Sequence, residues 1–259
     1  MVYPAYSRRS GGLSLGIDLF SDGKHCPFDC PYCEVFPFAG GGVFSVEAME
    51  HDLRNAVAAA AQRGEPVRDI CFSGSGEPSV SPHFTAALKA AVKLRGAIAP
   101  SVPLVVITNG AGLFDRQVFS ALQAAALTPP LPPDIWLKVD AGTPDWYRKI
   151  NNADIPHERL VSKLKDFVAA APVTVQSMMC AVDGEEPPPE EAAAWQELVV
   201  SLAATGNVGK VQVYGKARPA PSDPKAAALS PEYLERRAAS LRLAFTGAGL
   251  AVVPVEVYF

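Results

Sequence analysis

Short apolar runs alternate with longer segments of helical periodicity along the whole chain. Strand-like runs are predicted over residues 14–20, 67–73, 103–108, 135–140, 173–179 and 210–214. The segments between and after them repeat their apolar residues every three to four positions, which predicts helices over 46–63, 83–94, 114–126, 158–170, 189–204 and 231–248. A last apolar run covers 251–257. Strands that alternate with helices in this order are typical of βα units around a parallel sheet.

Six βα units predict an α/β fold, namely a partial (β/α)6 barrel of the TIM type with a parallel sheet. The 259 residues have the length of one such domain, so we expect a single domain over residues 1–259. In β/α barrels the residues that perform chemistry follow the C-terminal ends of the strands. The polar residues at those ends are therefore the first candidates for a site.

Composition and charge narrow the class of protein. Hydrophobic residues make up 49% of the chain, but no apolar run is long enough to cross a membrane. The N-terminal residues lack the apolar segment of a signal peptide, and cysteines in a chain without an export signal are typical of the reducing cytoplasm. We therefore expect a cytoplasmic protein without a membrane partner. The net charge of −4 disfavours a nucleic-acid partner, because such proteins usually carry a basic patch.

Three cysteines lie close together in the predicted loop at residues 21–37. Cys26, Cys30 and Cys33 have the spacing C-x3-C-x2-C within HCPFDCPYC. A four-iron cluster normally has four cysteine ligands, so three would leave one iron open for chemistry. A zinc site that includes His25 is an alternative, although adjacent ligands fit a tetrahedral site poorly, and a disulfide would leave one thiol unpaired. The spacing favours a [4Fe–4S] cluster, and a noncatalytic Fe–S or zinc protein remains the alternative.

Polar motifs follow the second and third predicted strands. In SGSGEP, Gly74 and Gly76 permit close approach of a ligand to the backbone, and Glu77 can accept a hydrogen bond from an ammonium group. Thr108 and Asn109 end the third strand. Ordinary turns explain both stretches when each is taken alone. Their position at strand ends favours a binding site.

The fourth and fifth predicted strands supply candidate catalytic residues. Lys138 and Asp140 are two positions apart on a strand, so both point to one face. They form either a buried pair near the substrate or a structural salt bridge at the barrel mouth. Cys180 lies at the end of the fifth strand, where its thiol could reach a substrate; the alternative is a buried, inert cysteine.

Further polar residues on the fifth and sixth strands complete the candidate set. Gln176 shares the face of Cys180, whereas Ser177 points to the opposite face. Gln212 and Tyr214 share a face of the sixth strand. Arg218 follows in the loop, where it could clamp a carboxylate in bidentate fashion or stabilise a proline-rich loop.

The cysteine spacing, with Tyr32 before the third cysteine, resembles that of the radical S-adenosylmethionine (SAM) enzymes. The resemblance implies that SAM binds the open iron of a [4Fe–4S] cluster, and that one electron cleaves it to methionine and a 5'-deoxyadenosyl radical. The radical abstracts hydrogen from a small-molecule or peptide substrate, and reduced flavodoxin or ferredoxin supplies the electron. Cys180, Lys138 and Asp140 are then the candidate catalytic residues. The implied cofactor-binding residues are Tyr32, Gly74, Gly76, Glu77, Thr108, Asn109, Gln176, Ser177, Gln212, Tyr214 and Arg218.

One branch of this superfamily is similar over residues 6–219. The stretches YSRRSGGLSLGIDLF, SGEP, TNG, LKVDAGT, YRKIN and VQVYGKARP resemble the tRNA wyosine synthases and their short, uncharacterised relatives. Archaeal wyosine synthases carry three further cysteines upstream, and no cysteine precedes Cys26 here. We therefore expect one cluster, and a tRNA-modifying activity ranks second.

Overall fold

The computed structural model describes residues 1–259, and the chain divides into two compact units. The first unit comprises Met1–Cys26 and Pro37–Ile135, and the second comprises Pro27–Phe36 and Trp136–Phe259. The boundary falls inside the cysteine loop, so Cys26 belongs to the first unit. The single domain expected over residues 1–259 stays a prediction.

Four strands form the sheet of the first unit: β1 (Val2–Ser7), β2 (Gly12–Ile17), β3 (Val67–Phe72) and β4 (Leu104–Thr108). The first two pair antiparallel, and β3 and β4 follow in parallel order beside β2. The predicted strands near 14–20, 67–73 and 103–108 are present. The additional strand β1 was not predicted, because its half-exposed sequence VYPAYS contains a proline and lacks a continuous apolar run.

Three helices cover this sheet: α1 (Val46–Gln62), α2 (Phe84–Ile98) and α3 (Arg116–Ala126). Two of them begin at side-chain caps, which satisfy backbone N–H groups that have no partner within the helix. The Oγ of Ser45 accepts from the backbone N of Ala48 at 3.1 Å, as the predicted helix start requires. The carboxylate of Asp115 accepts from the backbone N of Gln117 at 2.7 Å.

Parallel strands also build the second unit: β5 (Asp134–Lys138), which belongs to this unit from Trp136 onward, β6 (Val173–Val182), β7 (Val208–Gly215) and β9 (Val255–Tyr258). A short strand, β8 (Ala226–Ala228), pairs antiparallel with the end of β6. Two sequence-based boundaries were wrong. Pairing with β8 extends the fifth predicted strand to Val182, so Cys180 lies inside β6 and not at its end. Asp140 lies beyond the end of β5 and not within it.

Four helices belong to the second unit: α4 (Pro144–Ile150), α5 (His157–Ala170), α6 (Pro189–Ala203) and α7 (Pro231–Gly247). The short α4 was not predicted, because seven residues give too little periodicity to identify a helix. The carboxylate of Glu191 fixes the loop before α4 by accepting from the backbone N of Gly142 at 2.6 Å and of Thr143 at 2.8 Å. None of the helices is both long enough and apolar enough to cross a membrane.

Candidate active site

Asp18, directly after β2, holds the SGSGE loop in the first unit. Its buried carboxylate accepts from the backbone N of Ser75 at 3.0 Å and from the Ser75 Oγ at 2.5 Å. Gly74 has a φ of +135°, and a Cβ there would lie 2.5 Å from the Asp18 Cγ. The close approach that Gly74 permits is therefore to Asp18.

Gly76 brings the same loop against the residue that precedes Cys26. A Cβ at Gly76 would lie 1.9 Å from the carbonyl oxygen of His25, so no other residue fits without moving the backbone. The backbone N of Glu77 donates to that carbonyl at 2.9 Å, and the backbone N of His25 donates to the Ser75 carbonyl at 3.0 Å. These bonds fix the start of the cysteine loop against the end of β3.

Glu77 is buried, and its carboxylate ties this loop to the end of β4. Its Oε1 accepts from the backbone N of Ser79 at 3.1 Å, from the Ser79 hydroxyl, and from the Thr108 Oγ1 at 2.7 Å. Its Oε2 accepts only from the backbone N of Asn109, at 2.7 Å. Burial raises the pKa of Glu77, although these hydrogen bonds oppose the rise. A carboxylate oxygen has two acceptor positions, so Oε2 retains one for a ligand.

Asn109 connects Glu77 to the first cysteine. Its Nδ2 donates to the Cys26 Sγ at 3.5 Å, while its Oδ1 accepts from the backbone N of Ala111 at 2.9 Å. Thr108 is fully buried, and its hydroxyl donates a hydrogen bond to the Glu77 carboxylate. Within the first unit the structure thus brings together Glu77, Asn109 and Cys26.

In the second unit the segment before Cys30 docks on the C-terminal end of α4. The backbone N of Asp29 donates to the carbonyl of Asn151 at 3.1 Å. The Asn151 Nδ2 donates to the Cys30 Sγ at 3.5 Å. Burial, followed by the nearby charge of Asp140, raises the pKa of Cys30 to about 11. Without a metal the thiol is therefore protonated at neutral pH, and metal binding must displace that proton.

Asp140 is the centre of a buried polar network in this unit. Its Oδ1 accepts from the backbone N of Met178 at 2.9 Å and from the Lys138 Nζ at 2.9 Å. Its Oδ2 accepts from the Asn151 Nδ2 at 3.0 Å and from the Tyr32 hydroxyl. All four acceptor positions of the carboxylate are filled. Asp140 therefore has no position left for a proton from a substrate while this network is intact.

Lys138 and Tyr32 are held by the same network. Burial alone would lower the pKa of Lys138, but Asp140 and Tyr214 outweigh it and the net shift is upward. Lys138 Nζ also donates to the Tyr214 hydroxyl and lies 4.6 Å from the centre of that ring. Burial raises the pKa of Tyr32 well above its ordinary value, so its phenol stays protonated and donates. The predicted Lys–Asp pair therefore exists: the Lys138 ammonium group contacts the Asp140 carboxylate, whose acceptor positions are all filled.

Two glutamines lie beside Lys138 in one row across the sheet. Lys138 pairs in register with Gln176, and Gln176 pairs with Gln212. Both glutamines are fully buried, and the Gln176 Nε2 donates to the Gln212 Oε1 at 2.9 Å. The Gln176 Oε1 and the Gln212 Nε2 have no partner. The row thus leaves one acceptor and one donor for a ligand or a water molecule.

The remaining predicted residues lie apart from this row. The Ser177 hydroxyl donates to the Val139 carbonyl at 2.5 Å and accepts from the Trp195 Nε1 of α6 at 3.0 Å. Ser177 therefore faces the helix layer. Cys180 is fully buried, and burial raises its pKa to about 12. Arg218 is 56% exposed, and its Nη1 lies 3.2 Å from the carboxylate of Glu34.

An open cleft of about 750 Å³ lies on the surface of the second unit. It runs along α4 and the loop that follows β6, and it carries both acidic and basic side chains. Its lining includes Thr143, Trp146, Lys149, Asn152, Glu185 and Lys225. The ion pair between Lys149 and Glu185 bridges the two elements.

The donor chemistry of the cysteine loop suits an iron–sulfur cluster. None of the five cysteines forms a disulfide, and three of them lie in this loop. No three His, Cys, Asp or Glu side chains stand together as a metal site in the structure. Thiol sulfurs that accept amide hydrogen bonds, as Cys26 and Cys30 do, are typical of such clusters.

Sequence reasoning missed two residues of the site, Asp18 and Asn151. Asp18 stands at the end of an apolar run, in GIDLF, and a lone carboxylate at a strand end is a signal that could have been used. Asn151 lies in YRKIN, one of the stretches that resemble the wyosine synthases, but its residue type alone predicts no role. Its partner Cys30 is 121 positions away, so no local pattern reveals the contact.

Comparison with known proteins gives one family match. The sequence model described as "Radical SAM superfamily" matches residues 20–195, which include the cysteine loop. The chain is 27% identical over 171 residues to a Brachyspira hyodysenteriae protein named GTPase Obg, covering 63% of this chain and 22% of that protein. It is 29% identical over 169 residues to a UPF0026 protein of Synechocystis, covering 64% and 58% respectively. The chain thus spans less than two thirds of the length of each of these relatives.

Solved structures show the same fold. A radical SAM methyltransferase from Sphaerobacter thermophilus is matched over 95% of this chain and 66% of its own, with a TM-score of 0.66 and 17% identity. SuiB from Streptococcus suis is matched over 96% and 51%, with a TM-score of 0.67 and 14% identity. TYW1 with a lysine–pyruvate adduct is matched over 89% and 73%, with a TM-score of 0.60 and 13% identity. The predicted α/β partial barrel is confirmed.

Proposed function

The chain belongs to the radical SAM superfamily of enzymes, and on this basis we propose that it binds a [4Fe–4S] cluster through Cys26, Cys30 and Cys33 and cleaves SAM reductively. When bound, the cluster supplies the electron that splits SAM into methionine and a 5'-deoxyadenosyl radical. The observation that carries the proposal is the superfamily match over residues 20–195, in a chain whose loop supplies three cysteines that form no disulfide.

In the first unit, Glu77 has the chemistry to bind the amino group of SAM. Its Oε2 keeps one acceptor position beside the backbone N of Asn109. A carboxylate that accepts from an ammonium group forms a strong, charge-assisted hydrogen bond. Gly74 and Gly76 act indirectly, since they let the loop pack against Asp18 and His25 and so hold Glu77 in place.

In the second unit, the row of Gln176 and Gln212 offers an unpartnered acceptor and donor for the polar groups of SAM or of the substrate. Lys138 and Tyr214 keep this interior cationic and aromatic. Arg218 has the planar, permanently charged guanidinium that binds a carboxylate in bidentate fashion, and we propose it as the group that binds the SAM carboxylate. Ser177 is the weakest member of the predicted set, because its hydroxyl is already bonded on both sides.

We propose a charged small molecule or a peptide as the substrate. The open cleft along α4 carries side chains of both signs, which suits a ligand that itself carries charge. Reduced flavodoxin or ferredoxin is the proposed electron donor. The reducing cytoplasm is the proposed compartment, since the thiols must stay reduced to bind iron.

A wyosine-synthase-like reaction is the second candidate. The fold likeness to TYW1 with a lysine–pyruvate adduct and the interior lysine, Lys138, favour it. The protonation of Lys138 argues against this candidate. An amine must lose its proton before it can attack a carbonyl carbon, and Asp140 and Tyr214 make that loss harder because they raise the pKa of Lys138. The net charge of −4 also disfavours tRNA binding, so this candidate ranks second.

The decisive experiment is anaerobic reconstitution with iron and sulfide, followed by addition of dithionite and SAM. We expect 5'-deoxyadenosine and methionine in equal amounts. Cys30→Ser protein treated in the same way is the control and is expected to release neither. A wild-type cluster whose spectra and reduction are indifferent to SAM would instead identify a noncatalytic Fe–S protein.

A further inference from the structure

Two asparagine side chains donate hydrogen bonds to cysteine sulfurs of the loop. In the first unit the Asn109 Nδ2 lies 3.5 Å from the Cys26 Sγ. In the second unit the Asn151 Nδ2 lies 3.5 Å from the Cys30 Sγ.

Both carboxamides are oriented by a second contact, so the nitrogen must face the sulfur. The Asn109 Oδ1 accepts from the backbone N of Ala111 at 2.9 Å, which turns Nδ2 the other way. The Asn151 Nδ2 also donates to the Asp140 Oδ2 at 3.0 Å, and a flipped amide would set two acceptor oxygens against each other. Asn151 is only 4% exposed, so water does not compete for this donor.

A donor on a ligand sulfur changes the electronics of the metal group that the sulfur holds. Reduction adds negative charge, and part of that charge resides on the sulfurs. An N–H group that points at a sulfur therefore stabilises the reduced form more than the oxidised form, and hydrogen bonds to sulfur are among the factors that set cluster potentials. A buried donor acts more strongly than an exposed one, because the local dielectric is low.

We propose that Asn109 and Asn151 are positioning residues that orient Cys26 and Cys30 and raise the reduction potential of the cluster. The inference rests on the proposed function, since it requires the cluster. It assigns each asparagine to one cysteine. The consequence for the reaction is that a weaker reductant can supply the electron.

The test is a potentiometric titration of the reconstituted protein, monitored by electron paramagnetic resonance in the absence of SAM. Asn151→Leu and Asn109→Leu remove the amide donors and keep the branched shape of the side chain. Each is expected to lower the reduced-to-oxidised ratio at fixed potential about tenfold, which corresponds to a midpoint about 59 mV lower for one electron. Asn55→Leu is the matched control, because the exposed Asn55 amide lies on α1 and contacts His51; its midpoint is expected to equal that of the wild type.

The outcomes separate this inference from the proposed function. A wild-type midpoint in a fully loaded Asn151→Leu or Asn109→Leu protein overturns the role of that asparagine. If one variant does not bind iron, the midpoint of the other variant tests the inference. If neither variant binds iron while both iron-free proteins melt at the wild-type temperature, the asparagines serve cluster assembly, and the tuning role is overturned. Wild-type protein that binds no iron at all would overturn the proposed function instead.

Discussion

Lys138 and Asp140 form an ion pair in the interior of the second unit, with Nζ and Oδ1 2.9 Å apart. Their side chains are 12% and 1% exposed. Removing one member of a buried pair leaves the other charge uncompensated, which costs more than an exposed pair of the same geometry contributes. The interior of this unit therefore depends on both charges being present.

Replacing Lys138 tests that dependence. We expect Lys138→Met to lower the free energy of unfolding by about 3–5 kcal/mol, because Asp140 is left buried without its cation. Lys149→Met is the matched control, since Lys149 pairs with Glu185 at the surface, and a change of at most about 1 kcal/mol is expected. Urea unfolding followed by circular dichroism measures both, and equal effects would contradict the assignment of an interior pair.

The three loop cysteines are expected to be jointly required for iron. Cys26→Ser, Cys30→Ser and Cys33→Ser should each fail to hold about four irons per chain after anaerobic reconstitution, since the cluster would keep only two thiolate ligands. Cys71→Ala is the control, because that thiol is buried inside β3 in the first unit and should leave iron content unchanged. A full complement of iron in all three loop variants would remove the cluster assignment.

Arg218 offers a direct test of SAM binding. We expect Arg218→Ala to raise the dissociation constant for SAM roughly 5- to 150-fold, which corresponds to a lost charged hydrogen bond of about 1–3 kcal/mol. Glu34→Gln removes the ion-pair partner while it keeps the guanidinium. Equilibrium binding of SAM to the reconstituted proteins separates the two, and equal weakening by both changes would show that the Glu34 contact, and not SAM, explains the effect.

Stability should depend on pH through Glu77. Burial raises the pKa of its carboxyl in the folded protein, so folding gains stability when this group is protonated. That stability is present below the ordinary pKa of about 4.3 and is lost as the pH rises through the folded-state value. Glu77→Gln carries no such group. As the pH rises from about 4 to 7, the melting temperature of the wild type should therefore fall relative to that of the variant. A difference in melting temperature that stays constant across this range would contradict the prediction.

Cys180 can be tested as a hydrogen-atom donor to a product radical. Burial, the larger cause, and the charge of Asp140 raise its pKa to about 12, so the thiol keeps its hydrogen at neutral pH. We expect Cys180→Ala to cleave SAM at the wild-type rate but to divert the product or accumulate an organic radical, visible by electron paramagnetic resonance. Wild-type yield and product distribution would identify Cys180 as a packing residue of β6.

The elements that sequence analysis predicted well are those with their own periodicity. The six predicted strand–helix pairs are all present, because each buries a local apolar face. The Lys138–Asp140 pair could also be predicted, since residues two apart at a strand end project to one side. β1 and β8 could not be identified, because each depends on a partner strand for its conformation.

The polar contacts of the site could be predicted only in part. Gly76 and Glu77 were recognised from the motif, but the roles of Asp18 and Asn151 depend on partners 57 and 121 positions away. The amphipathic pattern of a segment reports which face it buries, and it carries no information about which distant polar atom meets a given side chain. The sequence correctly predicted that Ser177 points to the face opposite Gln176, but it did not predict that Ser177 accepts a hydrogen bond from Trp195.

The side-chain amide of Asn151 donates one hydrogen bond to Cys30 and another to Asp140. A single side chain therefore couples a candidate iron ligand to the interior that holds Lys138. If Asn151 has the proposed effect on the cluster, mutant libraries that vary Lys138 or Asp140 would, through Asn151, also change how easily the protein accepts an electron. Laboratory evolution of specificity in this chain should accordingly be screened with more than one reductant. A variant with the desired pocket would otherwise score as inactive when its only defect is that it needs a stronger reductant.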